Sequence, residues 1–278
     1  MDTEPTASTA HEDFYASGYG TRQIYGWPGY RRACVTDPAF DARLAIKPSF
    51  HRLARKAARV PTRRIHIASV DVPARRDELE GVLRELKNTR HAVTVSLAPL
   101  ENRGKFENIN KALQNVDLSS VDWLIVVDDD VALPARFLDR FIYASEAASL
   151  RIAQPAHRFR SYTSWELTQR VWNSLVRTTH FVECGPITAF HRDVFQYVLP
   201  FPYSQSGWGL DVIWGEIARD KGFSIGIVDA TPITHLREVA ENYDRHAATR
   251  ESVAMLERFG VRRTMREVLT TTAMLSRL

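Results

Sequence analysis

Apolar and polar positions follow two different spacings along the chain, and each change of spacing marks a new element. IHIASV (65–70) is short, rich in β-branched residues and flanked by polar ones, which predicts a strand. In PARRDELEGVLRELKN (73–88), Leu79, Val82, Leu83 and Leu86 recur at i, i+3, i+4 and i+7, one face of a helix. HAVTVSLAPL (91–100) alternates as a strand, and KFENINKALQ (105–114) returns to helical spacing. DWLIVVD (122–128) is apolar enough for a strand covered on both faces, and Pro134 suits the first turn of a third helix running to about 148. Strand and helix in alternation predict an α/β fold: a Rossmann-like, mostly parallel central sheet flanked by crossover helices.

The flanking parts are less regular. HFVECGPITAF (180–190) reads as one or two strands with a turn at Gly185-Pro186. GLDVIWGEIARDKG (209–222) reads as a helix with Leu210, Ile213, Trp214 and Ile217 as its stripe and Gly222 beyond its end. FSIGIVD (223–229) is a strand leading into TPITHLR, and 246–275 predicts one or two amphipathic helices broken near Gly260. Residues 1–20 read as a mobile tail, and 21–62 as irregular then basic-helical, with GWPGY (26–30) marking turns. The expected organisation is an N-terminal tail and basic extension (1–62), a sheet domain (63–240) and C-terminal helices packing on it (241–278).

Composition narrows the class. With 278 residues, 44% of them hydrophobic, and six Trp, the chain can build a sizeable core. Its longest apolar runs, such as WLIVV, fall far short of the roughly 18 residues that span a bilayer. The opening MDTEPTASTAHEDF is acidic and polar, unlike a secretory signal. Cys34 and Cys184 lie far apart without metal-ligand spacing, so a reducing, cytoplasmic setting is expected.

The net charge of +4 is unevenly spread. No acid lies between Asp41 and Asp71, yet Arg43, Lys47, Arg52, Arg55, Lys56, Arg59, Arg63 and Arg64 do. Such a run suits an anionic membrane surface or a nucleic acid. Stacking aromatics are scarce there, so no nucleic-acid partner is expected. The preferred reading is a solvated face on the helix FHRLARKAAR, with Phe50, Leu53 and Ala57 turned inward. Peripheral membrane contact through 43–64 is the alternative kept open.

The chemistry concentrates where the strand 122–128 ends in Asp128, Asp129 and Asp130. Ligands of α/β sheets bind beyond the carboxyl ends of the strands. In extended backbone Asp128 and Asp130 share a face, roughly 7 Å apart. A hard divalent cation takes one or two such carboxylates and completes its shell with phosphate oxygens and water. Asp129 then points elsewhere, towards a sugar or ribose hydroxyl. Asp130 precedes Pro134 by four positions, too early for a helix cap. Adjacent carboxylates that repel and desolvate one another favour a functional site.

Three stretches, in order, resemble GT-A-fold glycosyltransferases of the large inverting family. ENRGKFENINKAL (101–113) resembles their N-x-G-K…N-x-A segment, Asp128-Asp129-Asp130 their D-x-D motif, and SGWGLDVIWGEIARDKGFSIGIVDATPITHLR (206–237) their W-G-x-D helix start with a strand and late histidine. The resemblance covers about 63–237. It implies a nucleotide-diphosphate sugar donor, a glycan, lipid-linked or small-molecule acceptor, and Mn²⁺ or Mg²⁺ held by Asp130 and His235, with Asp128 a ligand or nucleotide contact. A histidine ligand leans towards Mn²⁺. Asp211 is implied as the base that deprotonates the acceptor hydroxyl, with inversion at the anomeric carbon. Ser69, Val70 and Asp71 are implied at the base and ribose, and Lys105, Asn110, Asp129 and Arg237 at the nucleotide sugar. Trp208, Gly209 and Gly185 are implied at the sugar or acceptor, with Glu183 and Cys184 beside them.

There are departures. Leu210 stands where many relatives carry a second acid, and SLAPLEN lacks the aspartate that reads the base. The alternatives are a nucleotidyltransferase, which would want a glycine-rich loop where this chain has VDVPARRDE, and a non-catalytic nucleotide- or sugar-binding module.

Overall fold

A computed structural model describes residues 27–278 apart from 240 and 242, so the tail reading for 1–20 falls outside it. The predicted strands are present as β1 (Arg64–Asp71), β2 (Ala92–Pro99) and β3 (Trp123–Val127), with β1 paired in parallel to both neighbours. After β4 (Val131–Ala132) come β5 (Leu150–His157), β6 (Val176–Thr179), β7 (Ile187–His191), β8 (Ser224–His235) and β9 (Thr271–Leu275). The sheet order is β2-β1-β3-β7-β5-β8-β6-β9, with β4 paired to β8 off that path. From the pairings, β2, β1, β3, β5, β8 and β9 run one way, and β7 and β6 run against them. The sheet is mixed but mostly parallel in direction, as expected.

Helices cover both faces: α1 (Trp27–Ile46), α2 (Pro48–Ala57), α3 (Arg76–Lys87), α4 (Lys105–Leu113), α5 (Phe137–Ala147), α6 (Phe195–Val198), α7 (Leu210–Lys221), α8 (Arg245–Arg258) and α9 (Met265–Val268). α3 buries Leu79, Val82, Leu83 and Leu86, the four residues its spacing singled out. With Leu53 of α2 and Phe137 and Phe141 of α5 they pack one face of the sheet. On the other face Phe106, Phe190, Phe201 and Trp214 meet ring to ring, with centroids 4.9 Å apart for the Phe106–Phe201 and Phe190–Trp214 pairs. All five residues of β3 are buried, which holds the ends of the strand rigid where its carboxylates begin.

Four expectations need correction. Pro134 does not open the third helix. The chain first forms β4, whose backbone pairs Val131 with His235, and α5 starts at Phe137 after Arg136 at φ 56°. A two-residue strand leaves no periodicity to read. The turn expected at GWPGY is helical from Trp27 onward, because α1 runs to Ile46 with Pro38 in its body. Residues 271–275 form an edge strand, not a helix: β-branched Thr271 and Thr272 open β9, which pairs antiparallel with β6. Finally, β5 and β6 were not foreseen. The basic helix behaves as read: Leu53 and Ala57 are buried, and Phe50 packs under the Arg140 guanidinium at 5.4 Å.

Candidate active site

The carboxyl ends of β1, β3 and β8 and the starts of α4 and α7 surround a cavity of about 1010 Å³. Because β4 pairs with the end of β8, Asp130 is carried to His235, and His235 Nε2 stands 3.1 Å from Asp130 Oδ2. The other ring nitrogen, Nδ1, lies 3.0 Å from the Tyr162 carbonyl, which can only accept, so Nδ1 carries a proton. The Nε2 lone pair of a neutral ring would then face a carboxylate. Two things relieve that repulsion: a second ring proton, or a cation between the two groups. Burial works to depress the imidazolium. The hydrogen bond and charge of Asp130, with Asp128 and Glu183, outweigh it and raise His235 above its ordinary value. Asp130 is held below its ordinary value, because His235 and Arg237 overcome its burial.

These groups fit a divalent ion. Neighbouring ligands on an ion with bonds of about 2.1 Å lie roughly 3 Å apart, as Oδ2 and Nε2 do. A carbonyl on the distal nitrogen is also the usual way a protein orients a ligating histidine. The fit is to two protein ligands only. No cluster of three His, Cys, Asp or Glu residues with metal-holding geometry exists among the described residues. Asp128, the third ligand expected, instead pairs with Lys105, Oδ1 to Nζ 2.6 Å. The reason is local: residues 128–130 lie outside both β3 and β4, so the alternation rule of extended backbone does not hold. Gly185 leaves room for the pair, since a Cβ there would stand 3.2 Å from Asp128 Oδ2.

Asp129 is buried between two arginines, 3.4 Å from Arg237 Nη1 and 3.9 Å from Arg75 Nη1. Burial, with the charges of Asp130 and Asp128, raises its pKa to about 6 against the pull of the arginines. Arg237 also holds Glu78, so both ends of its fork are engaged.

Across the cavity, α7 begins after Gly209 at φ +92°. Asp211, in its first turn, is 2% exposed and accepts from the Val212 N–H at 2.9 Å. Burial, aided by the charge of Glu183, raises its pKa to about 7. Trp208 lines the cavity and packs its ring 5.9 Å from that of Tyr243. Glu183 completes this wall. It accepts from Ser164 N–H and Thr163 Oγ1, both at 3.2 Å, and faces His157 Nε2 at 3.4 Å.

Ser69, Val70, Lys105, Asp128, Asp129, Asp130, Trp208, Asp211, Gly185, His235 and Arg237 thus line one cavity. Three expected residues do not. Asp71 forms a close ion pair with Arg76 at 2.5 Å. Asn110 uses its amide to hold the Phe201 backbone, at 2.9 Å to N–H and 2.8 Å to C=O. Gly209 is needed for its backbone, and a Cβ there would meet Ser252 Oγ at 2.8 Å. Ser69 donates to the Val127 carbonyl at 2.8 Å and ties β1 to β3. Residues missed at the sequence level are Arg75, Tyr162, His157 and Tyr243. His157 ends β5, Arg75 sits in the short turn before α3, and Tyr162 and Tyr243 lie on irregular segments, so no periodicity singles any of them out.

Gly104 sits where two loops meet, and a Cβ there would come within 1.9 Å of the Ser204 carbonyl oxygen. Gly104→Ala is therefore expected to cost about 1–3 kcal/mol or more, read as a lowered midpoint in thermal unfolding.

A mostly parallel sheet with carboxylates and a histidine beyond its strand ends has the ligand-site geometry of α/β folds. The sequence profile of glycosyl transferase family 2 matches residues 35–199, and the chain belongs to that family. The α/β, mostly parallel sheet agrees with the GT-A fold that the resemblance implied. Among solved structures it is similar to GalNAc-T7 with UDP, GalNAc and Mn²⁺, at 9% identity and TM-score 0.47. That match covers 71% of this chain and 48% of the other, so the chain spans about half that protein's length. It is also similar to the catalytic domain of Drosophila β1,4-galactosyltransferase 7 in complex with xylobiose, at 16% identity and TM-score 0.44, over 69% and 81% of the two chains. A197 from STIV matches at 12% identity and TM-score 0.41, over 64% and 87%. No curated protein matches the chain.

Proposed function

We propose that this glycosyltransferase moves a sugar from a nucleotide-diphosphate donor to an acceptor hydroxyl, with a divalent cation, Mn²⁺ in preference to Mg²⁺, and with inversion. One observation carries the reading: the Asp130–His235 pair, 3.1 Å apart, shares a cavity with a buried carboxylate, Asp211, whose pKa is raised to about 7. When bound, the cation supplies the positive charge that stabilises the departing diphosphate. The Tyr162 carbonyl keeps His235 Nε2 turned towards Asp130. Ser69 and Val70 line the side of the base and ribose. Asp211, ionised, takes the acceptor proton as the acceptor oxygen bonds to the anomeric carbon and the bond to the diphosphate oxygen breaks. A single displacement from the face opposite the leaving group inverts that carbon. Family membership favours sugar transfer over nucleotidyl transfer or simple binding. A panel of UDP-, GDP- and CDP-sugars assayed with Mn²⁺ and then with EDTA tests the reading. Metal-stimulated turnover with an inverted product, seen by NMR of the anomeric proton, is expected; a retained configuration contradicts the Asp211 role.

The proposal extends to where the acceptor is met. Of the basic run, Arg63 pairs with Glu146, Arg64 with Asp122, and Lys56 reaches the Leu278 carbonyl. Arg52, Arg55 and Arg59 are exposed, with no acidic partner among the described residues. No helix of the described residues is long and apolar enough to cross a membrane. This face suits peripheral contact with an anionic membrane, on its cytoplasmic side, that holds a lipid-linked acceptor. At about 1 kcal/mol per cation, replacing the three arginines by Ala should weaken binding to phosphatidylserine vesicles by about two orders of magnitude. Unchanged sedimentation ends the idea.

A further inference from the structure

The helical stretch before β1 carries an acid that is fully buried. Asp37, on α1, has 0% exposure. Its Oδ1 accepts from the Phe159 N–H at 3.0 Å, and its Oδ2 from the Arg160 N–H at 3.0 Å and Arg160 Nε at 3.4 Å. Arg170 stands 3.5 Å from it and 2.7 Å from Asp41, one helical turn on. Asp41 also holds Arg158. Between the two acids, Phe40 packs edge-on against Phe159 at 5.0 Å and Trp172 at 4.7 Å. Removing a carboxylate from water is costly unless it is paired and hydrogen-bonded, so this arrangement fixes the loop after β5 relative to α1.

That loop carries the groups that orient His235. The Tyr162 N–H donates to the His235 carbonyl at 3.1 Å, and the His235 N–H donates to Ser161 Oγ at 2.7 Å. The Tyr162 carbonyl receives His235 Nδ1–H at 3.0 Å. Three bonds between a loop and one histidine leave the ring little freedom. Only Ser161 lies between Arg160, whose amide Asp37 holds, and Tyr162, whose carbonyl holds the ring. Beyond that carbonyl the same loop supplies Thr163 and Ser164 to Glu183, on the opposite wall.

We infer that α1 is a positioning arm of the active site: Asp37, through the Phe159 and Arg160 amides, sets the Tyr162 carbonyl that aims His235 Nε2 at Asp130. The inference rests on the proposed cation role of Asp130 and His235. Asp37→Asn places an amide N–H₂ against one of two backbone N–H groups, since both carboxylate oxygens are in use. The Tyr162 carbonyl is the outer partner of His235, and loss of such a partner typically weakens metal binding 10–100-fold; Asp37 acts on it through the loop.

The test is titration of the full chain with Mn²⁺ alone, following the free ion by electron paramagnetic resonance. Asp37→Asn is expected to weaken binding at least tenfold. Glu146→Gln, which removes the charge and one of the two acceptors that hold Arg63 at the opposite end of the sheet, is expected to lower stability and leave Mn²⁺ affinity unchanged. His235→Ala should abolish the site. If Asp37→Asn does not fold, Phe40→Ala removes the ring contacts instead and should weaken binding in the same direction. Equal affinity in wild type and the arm variants, with the site lost in His235→Ala, overturns the arm and leaves the cation reading standing. No saturable binding in wild type overturns the cation reading and the arm with it.

Discussion

Asp211→Asn is expected to abolish sugar transfer while making the folded protein more stable at pH 8. The side chain is the buried base of the proposed displacement, and asparagine cannot take a proton. A loss of 10²–10⁴-fold in kcat is the usual scale for removing a positioned base, with donor binding left intact. The gain in stability has the same origin. Burial raises the Asp211 pKa from 3.8 to about 7, so the fold disfavours the ionised form. That penalty is absent below the unfolded value of 3.8, grows between there and about 7, and is complete above it. Its full size is on the order of 4 kcal/mol. Asparagine is neutral at every pH and keeps an acceptor for the Val212 N–H. Thermal unfolding should therefore show the variant above wild type at pH 8, with the two converging near pH 4. In wild type the same group should give kcat/KM an ascending limb centred near pH 7. Undiminished turnover, or equal stability at pH 8, removes Asp211 from the mechanism.

Asp130→Asn and His235→Ala are expected to have the other large effect. Each leaves one protein ligand where the site has two. Activity should fall by at least about 10²-fold and lose its response to Mn²⁺, the result also expected of wild type in EDTA. Because the two are proposed to hold one ion, the double variant should be scarcely worse than either single one. The imidazolium of His235, favoured by Asp130, competes with the cation for Nε2. Mn²⁺ affinity should thus rise with pH through the His235 pKa, which stands above its ordinary value. Variants that keep full Mn²⁺ stimulation would place the ion elsewhere.

Much of this was legible in the sequence, and the limits have physical causes. α3 and β2 carry a repeating side-chain spacing, and β1 and β3 are short apolar, β-branched runs, so their positions followed from spacing, composition and length. β5 did not, because Gln154 and His157 are buried polar groups near its end, serving the Glu183 wall. The approach of Asp130 to His235 came from resemblance rather than pattern. What enforces it is the β4–β8 pairing, too short to show periodicity. Asp128, read as a ligand or a nucleotide contact, shares a face with Asp130 only if extended backbone continues past the end of β3, where it does not. Asn110 and Gly209 hold a loop and a helix start, roles that depend on Phe201 and Ser252, far along the chain. The arm at Asp37 was invisible for a similar reason: its partners lie more than a hundred residues away.

The most direct test is anomalous diffraction at the manganese edge from crystals soaked with Mn²⁺ and nucleoside diphosphates. The account predicts one peak within about 2.3 Å of both Asp130 Oδ2 and His235 Nε2, diphosphate oxygens completing the shell, and Asp211 facing the donor from across the cavity. A bound nucleotide whose manganese sits on Asp128 or Asp129, with the His235 ring uncoordinated, would contradict it.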